Sequence, residues 1–114
     1  YKWLRWADIV VSASRAEGFP NIVAEALALG KRIVATDCPG DTAELLEQGQ
    51  WGRLVPVGDP ASMASAILAS LDDPTCPDGR IRAADFTPEK TLRAYIDVLL
   101  PGFTQGQLSC LREE

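Results

Sequence analysis

The residues best suited to chemistry are two glutamates, Glu17 and Glu25, with seven residues between them. The segment between them follows a β-branched run and opens an amphipathic stretch typical of a helix. In open α/β sheets, ligands bind at such a junction, beyond the carboxyl end of a strand. The unpaired N–H groups of a helix start favour a phosphate group, and Gly18 lets the backbone approach a ligand closely.

The position of Glu25 suggests a second contact to the same ligand. It lies five residues beyond Pro20, roughly 7.5 Å further along a helix. There it could accept hydrogen bonds from sugar hydroxyls rather than repel a phosphate. A glutamate near a helix start also commonly complements the helix dipole, and Gly18-Phe19-Pro20 is a typical turn. On the residues alone, purely structural roles for Glu25 and for residues 18–20 are the simpler interpretation, and a ligand site is the alternative.

Alternating strand and helix patterns place these residues in an α/β fold. Strands are predicted near residues 8–12, 32–36 and 53–57, and helices near 20–29, 41–48, 60–71 and 88–100. Proline at helix starts and glycine just past helix ends support these limits. Strands joined by helices of this length predict a three-stranded parallel sheet with flanking helices. Residues 72–79, with two prolines, are predicted to form a loop.

Composition excludes several classes of function. The 114 residues have a net charge of −5, without the basic patch that a nucleic-acid-binding protein needs. Histidine is absent, which rules out histidine acid–base catalysis and most zinc sites. We expect no metal and no cofactor. No apolar run reaches the roughly 20 residues of a transmembrane segment. Three cysteines in no metal or redox spacing indicate reduced thiols in a cytoplasmic protein.

Five further residues have a structural and a sharper interpretation. Ser12 and Ser14 end a strand and are expected to cap turns, although they could assist a ligand site. Cys38 is expected to be a small buried filler, because no nearby base would activate it. Trp3 and Trp6 share a helix face and are expected to pack on the first strand. A stacking platform for a base or sugar is the alternative for the two tryptophans.

Taken as a whole, the motif resembles retaining GT-B glycosyltransferases of the family 4-like, group 1 kind. Glu17 and Glu25 match the E-x7-E motif of that family, and residues 18–30 resemble it almost throughout. The similarity continues through residues 33–40 and 54–59 and covers roughly residues 7–100. Sugar-nucleotide epimerases of the GT-B fold do not share this full string.

The resemblance implies a role for each matching residue. Glu25 would bind the ribose hydroxyls of a nucleotide sugar. Glu17 would be the catalytic residue, which contacts the transferred sugar and holds it for front-face attack. The remaining donor-binding residues would meet the pyrophosphate and sugar hydroxyls through the backbone: Gly18, Phe19, Pro20, Asn21 and Ile22. Residues 37–39 could line the same cleft.

The resemblance also implies that this chain is part of a larger enzyme. Residues 1–101 would be a partial Rossmann-like domain, half of a GT-B C-terminal domain, and residues 102–114 a poorly ordered tail. The family's acceptor-binding N-terminal domain has no counterpart here. Neither do the earlier strands that supply an arginine and a lysine for the pyrophosphate. We therefore expect the chain alone to transfer no sugar.

The expected partners are a nucleotide sugar and a glycan or lipid-linked acceptor. Residues 36–40 and 54–59 resemble bacterial surface-polysaccharide enzymes, which favours a UDP-linked donor. The acceptor would be held through the N-terminal domain, and the complete enzyme would work in the cytoplasm, at the inner face of the membrane. The alternative is a non-catalytic remnant or interaction domain of the same fold, packed on a partner chain.

Overall fold

The computed structural model describes residues 2–100, which fall into two compact units, residues 2–84 and 85–100. The first unit contains a parallel three-stranded sheet in the order β1 (Ile9–Ser12), β2 (Arg32–Thr36) and β3 (Arg53–Val55). The α/β prediction, with all three strands parallel, is thereby confirmed. The predicted tail, residues 102–114, lies outside the described residues.

Six α-helices surround or follow the strands within the described range. They are α1 (Lys2–Trp6), α2 (Asn21–Ala28), α3 (Thr42–Leu45), α4 (Pro60–Asp72), α5 (Arg80–Ala83) and α6 (Pro88–Leu99). Short 3₁₀ turns span Glu47–Gly49 and Ala84–Phe86. The first five helices belong to the sheet-containing unit, and α6 belongs to the second unit.

The core lies between the sheet and α2. Val23 and Leu27 of α2 are fully buried and belong to one apolar cluster with Ile33 of β2. Helix α4 packs against all three strands. Val34 of β2 is also fully buried, because successive residues of a strand face opposite sides and both sides of β2 are covered. This burial on both faces explains why β2 reads as a continuous apolar run.

Helix α4 begins where the sequence predicts it. Asp59 accepts hydrogen bonds from the Ser62 N–H at 2.9 Å and from the Ser62 hydroxyl at 2.6 Å, and Pro60 occupies the first turn. These two bonds stabilise the carboxylate and lower the pKa of Asp59 from its ordinary value. The cap is therefore ionised at neutral pH and fixes the chain just after β3.

Helix α3 is shorter than predicted. The sequence predicts a helix over residues 41–48, but α3 ends at Leu45 and a left-handed pair follows, with φ of 46° at Glu47 and 55° at Gln48. The reason is Arg82, whose guanidinium donates to the carbonyl oxygens of Glu44 and Leu45, both at 3.1 Å. These donors satisfy carbonyls that a continuing helix would have paired.

The expectation for the two tryptophans is wrong. Trp3 and Trp6 are 83% and 82% exposed, and they contact each other edge to face with ring centroids 6.4 Å apart. Instead, Leu4 packs against the core from α1. Trp3 and Trp6 share one face of α1 because they are three residues apart, and Leu4 lies on a different face. Since Leu4 faces the core, the two tryptophans face away from it.

One helix was not predicted. Residues 72–79 form the expected connection, but the chain then turns into α5, which packs on α2. Gly79 makes this approach possible, since a Cβ at this position would lie 2.8 Å from Leu27 Cδ2. In the second unit, α6 starts as predicted, with the Thr87 hydroxyl accepting from the Lys90 N–H at 3.3 Å.

The fold depends on α2 packing against the sheet, and a matched pair of leucines tests this. Leu27→Ala empties a fully buried position, so it should lower the free energy of unfolding by about 2–5 kcal/mol. Leu68→Ala changes a side chain that is 64% exposed on α4 and should cost less than about 0.5 kcal/mol. Urea unfolding followed by circular dichroism measures both. Equal effects would contradict this assignment of the core.

Candidate functional site

Two loops form the candidate site, both beyond the carboxyl ends of strands. The first joins β1 to α2 and carries Glu17, and the second joins β2 to α3. Two backbone hydrogen bonds hold the loops together. The Glu17 N–H donates to the Pro39 carbonyl at 3.0 Å, and the Asp41 N–H donates to the Gly18 carbonyl at 3.2 Å. The position of Glu17 is therefore set by the second loop as well as by its own.

Gly40 makes this loop contact possible. Its φ is 122°, which L side chains rarely adopt, and a Cβ placed there would lie 1.8 Å from the Glu17 carbonyl oxygen. Any other residue would push the two loops apart. Gly40 is thus a constraint on the backbone of Glu17, although it has no side chain to touch a ligand.

The Ser14 hydroxyl holds the Glu17 carboxylate, and the Thr36 hydroxyl holds the Ser14 backbone. The Ser14 hydroxyl donates to Glu17 Oε1 at 2.5 Å, and the Thr36 hydroxyl donates to the Ser14 carbonyl, also at 2.5 Å. Ser12 Oγ lies 3.5 Å from Ser14 Oγ. The expectation that Ser14 only caps a turn is wrong, since its side chain orients the carboxylate. Thr36, buried at the end of β2, connects this arrangement to the sheet.

The surface next to Glu17 is open. Apart from Gly18 and its two chain neighbours, no residue within the described range has an atom within 4 Å of the point where a Cβ on Gly18 would stand. Phe19 and Ile22 are exposed on either side of the start of α2. A ligand could therefore reach the backbone at Gly18 without displacing a side chain, as the sequence suggests.

The five predicted backbone contacts are not equivalent. Pro20 has no N–H group, and its side chain is fully buried, so it serves the fold. The Asn21 N–H already donates to the Phe19 carbonyl at 3.0 Å. Pro20 instead accepts at its carbonyl from the Val23 N–H at 3.0 Å. The N–H groups of Gly18 and Ile22 remain from the predicted set as candidate ligand contacts.

Glu25 and Cys38 occupy different surroundings. Glu25 is half-buried on the second turn of α2, on the same helix whose start carries the exposed Ile22. Cys38 is buried, with its sulfur 3.8 Å from the Thr42 hydroxyl, as expected of a small core residue. The loop that contains Cys38 contacts the Glu17 loop through the neighbouring Pro39.

The groups available for chemistry are the two carboxylates, which accept hydrogen bonds, and the amino-terminal end of α2. Within residues 2–100, no group of three or more histidine, cysteine, aspartate or glutamate side chains is arranged to hold a metal ion. No helix in that range is long and apolar enough to span a membrane. The positive end of α2 and the two carboxylates suit a ligand that combines phosphate groups with hydroxyl groups.

Sequence reasoning found the two glutamates but missed the residues that position Glu17. Gly40 and Thr36 lie more than 18 residues beyond Glu17 and act through the backbone or a hydroxyl. The signal available in the sequence was the pair Pro39-Gly40, two residues after the end of the second strand, which marks a turn with special backbone angles.

Comparisons with known proteins identify the family of this chain. A family model described as glycosyl transferases group 1 matches residues 1–73. A D-inositol 3-phosphate glycosyltransferase from Catenulispora acidiphila is 42% identical over 72 residues, which are 63% of this chain and 17% of that protein. An exopolysaccharide phosphotransferase from Streptomyces coelicolor is 35% identical over 72 residues, 63% of this chain and 8% of that protein.

A third relative transfers a sugar to a lipid-linked acceptor. It is the N-acetylgalactosamine-N,N'-diacetylbacillosaminyl-diphospho-undecaprenol 4-alpha-N-acetylgalactosaminyltransferase of Campylobacter jejuni, 33% identical over 73 residues, 64% of this chain and 20% of that protein. The chain thus spans a fifth or less of the length of these relatives. Since the family model covers more than half of its residues, the chain belongs to the group 1 glycosyl transferases.

Proposed function

We propose that this chain is the donor-binding part of a retaining glycosyltransferase that uses a nucleotide sugar. The observation that carries the proposal is the pairing of a fixed carboxylate with open backbone. Ser14 and the loop at Pro39 hold Glu17, while no residue other than its chain neighbours crowds the position of a Cβ on Gly18. A carboxylate held this firmly beside an open helix start suits a ligand with both hydroxyl and phosphate groups.

The start of α2 would receive the diphosphate. Candidate donors are the N–H groups of Gly18 and Ile22, at the positive end of the helix dipole. Charge develops on the leaving nucleoside diphosphate as the sugar bond breaks, and donors already aimed at that place lower the barrier. The helix start would therefore contribute to both binding and departure.

Glu17 would act on the sugar. Its Oε1 accepts from Ser14, which leaves the carboxylate a second oxygen to accept from a sugar hydroxyl. An ionised carboxylate near the sugar also stabilises the positive charge that grows on the ring during glycosyl transfer. Held in this way, the sugar is presented for attack on the face from which the diphosphate leaves.

Glu25 would bind the nucleoside. It lies more than one helical turn beyond the helix start, so a ligand whose phosphates sit at the start can place its ribose near Glu25. The donor favoured is UDP-linked, because residues 36–40 and 54–59 resemble bacterial surface-polysaccharide enzymes. The acceptor would be a glycan or lipid-linked sugar, and the complete enzyme would work in the cytoplasm at the inner membrane face.

Two other functions deserve a direct comparison. A non-catalytic interaction domain of the same fold would keep the core and lose nucleotide binding. A phosphotransferase is favoured by one relative, the Streptomyces coelicolor protein, which is named for phosphotransfer and not for glycosyl transfer. Nucleotide-sugar binding that depends on the two glutamates separates our proposal from both.

The two glutamates should behave differently in binding. Glu25→Gln should weaken UDP and UDP-glucose alike, since loss of a charge-assisted hydrogen bond costs about 1.5–3 kcal/mol, roughly tenfold to a hundredfold in affinity. Glu17→Gln should leave UDP affinity unchanged and weaken only UDP-glucose. Titration calorimetry of the 114-residue chain compares both variants with the wild type for UDP and for UDP-glucose. A further titration of the wild type with GDP tests the preference for the base.

The control for this pair is Glu89→Gln, an exposed glutamate on α6 that should change neither affinity. Equal loss of UDP affinity in both test variants would refute the division of roles. Unchanged affinity for every ligand in both variants would leave an interaction domain as the better assignment.

Two glycines should give opposite results when changed to alanine. Gly18→Ala adds a methyl group to open space, so stability should change by less than about 0.5 kcal/mol. UDP-glucose affinity should nevertheless fall about tenfold, because the methyl group occupies the ligand's space. Gly40→Ala should lower stability by more than about 1 kcal/mol, since its φ is positive and the loops must separate.

Thermal unfolding and UDP-glucose titration of both variants test this prediction together. A destabilised Gly18→Ala variant would place Gly18 in the fold rather than in the site. A fully stable Gly40→Ala variant would show that the two loops are not held in the arrangement described above.

A further inference from the structure

A second polar cleft lies at the opposite end of the sheet from the glutamates. It is formed by the amino ends of β2 and β3 and by the end of α4, and has a volume of about 240 Å³. Its polar lining includes Arg32, Arg53, Ser70 and Asp73. Arg32 also lines an adjoining cleft of about 380 Å³, which contains Lys31 and Arg80. Side chains of both charges thus line this end of the sheet, since Asp8 and Asp78 also line the adjoining cleft and Asp78 pairs with Arg80 at 2.8 Å.

Arg32 carries an unsatisfied donor in this cleft. Its Nη2 donates to the Asp73 carbonyl oxygen at 3.1 Å, whereas its Nε is buried and has no acceptor within residues 2–100. A buried donor without a partner costs about 1–3 kcal/mol, more on a charged group, so native structures rarely leave one unmatched. An acceptor of small size at this position would remove that cost.

The neighbouring carboxylate does not neutralise Arg32. Asp73 Oδ1 accepts from the Thr75 N–H at 2.8 Å and from the Thr75 hydroxyl at 2.6 Å, and Asp73 Oδ2 pairs with Arg53 Nη2 at 3.0 Å. These bonds lower the pKa of Asp73 and keep it ionised, and the bonds from Thr75 have the largest effect. Its charge is matched by Arg53, so the guanidinium of Arg32 has only a carbonyl as partner.

We propose that this cleft binds a small oxyanion, a phosphate or a carboxylate, at the Arg32 guanidinium, with a shift of the side chain that brings the buried Nε to the anion. A water molecule takes about 30 Å³ of liquid volume, so the cleft has room for such an anion and several waters. The guanidinium suits an oxyanion better than a neutral acceptor, because charge-assisted hydrogen bonds are about twice as strong. The site is independent of the proposed donor site, which lies at the carboxyl ends of the same strands.

Nuclear magnetic resonance of the arginine Nε–H groups tests the proposal on the unmodified 114-residue chain. Sodium phosphate and sodium acetate are titrated separately, with sodium chloride used to keep the ionic strength constant. We expect a saturable shift of the Arg32 Nε–H signal with at least one anion. The Nε–H signal of Arg93, which already pairs with Asp97 at 3.0 Å, should move little. The response to phosphate against acetate identifies which oxyanion the cleft prefers.

Arg32→Lys provides the variant, because it keeps the charge and removes Nε. Its anion affinity, followed by backbone amide shifts of Gly52 and Arg53, should fall about tenfold or more. The matched control is Arg93→Lys on α6, which changes an exposed arginine paired with Asp97 and should leave affinity unchanged.

Three results would overturn the proposal. One is an Arg32 Nε–H signal that shifts linearly and without saturation for both anions. Another is an Arg32→Lys variant with the wild-type affinity. The third is an equal loss in the Arg93→Lys control. If Arg32→Lys does not fold, the titration of the unmodified chain still decides the question.

Discussion

The close contact between the Gly40 backbone and the Glu17 carbonyl is the constraint on which the candidate site depends. A Cβ at position 40 would overlap that oxygen at 1.8 Å, so the two loops can meet only if this residue is glycine. Once they meet, Pro39 accepts from the Glu17 N–H and Gly18 accepts from the Asp41 N–H. The carboxylate is then fixed relative to β2 as firmly as to β1.

The hydroxyl groups of Ser14 and Thr36 extend this constraint to the side chain of Glu17. Thr36 is the last residue of β2 and donates to the backbone of Ser14, which in turn donates to the Glu17 carboxylate. Parallel pairing places Ser12 beside Ala35, so the ends of the two strands emerge side by side. The site thus follows from strand register: a slip of one residue would turn Thr36 to the other face of the sheet.

Local sequence signals predicted the strands and the starts of the long helices because those features depend on neighbouring residues. Arg32–Thr36 is a β-branched run, and Asp59 followed by Pro60 marks the start of α4 with its cap. The early end of α3 depends on Arg82, which is 37 residues beyond Leu45 in the chain. No local pattern contains that information, so residues 41–48 were predicted as one helix.

The same distinction applies to the candidate site. Glu17 and Glu25 were identified by their spacing and by resemblance to a known motif, both of which are visible in the sequence. The role of Ser14 was not visible in the sequence, because its hydroxyl could bond either to the backbone of a turn or to a carboxylate. Only the folded loop selects the carboxylate. The orphan Nε of Arg32 likewise arises from how α4 ends, where Asp73 is already occupied by Thr75 and Arg53.

The arrangement of charge explains why a backbone site and acidic side chains can serve one anionic ligand. The chain has a net charge of −5, which disfavours a diphosphate at long range. The dipole at an exposed helix start supplies only about 0.3–1 kcal/mol, less than a tenfold gain in affinity. Direct hydrogen bonds must therefore provide most of the binding, which requires close approach to the backbone at Gly18. In the proposed donor site the carboxylates of Glu17 and Glu25 would be tolerable only where they meet hydroxyl groups, so electrostatics favours the sugar at Glu17, the diphosphate at the start of α2 and the ribose at Glu25.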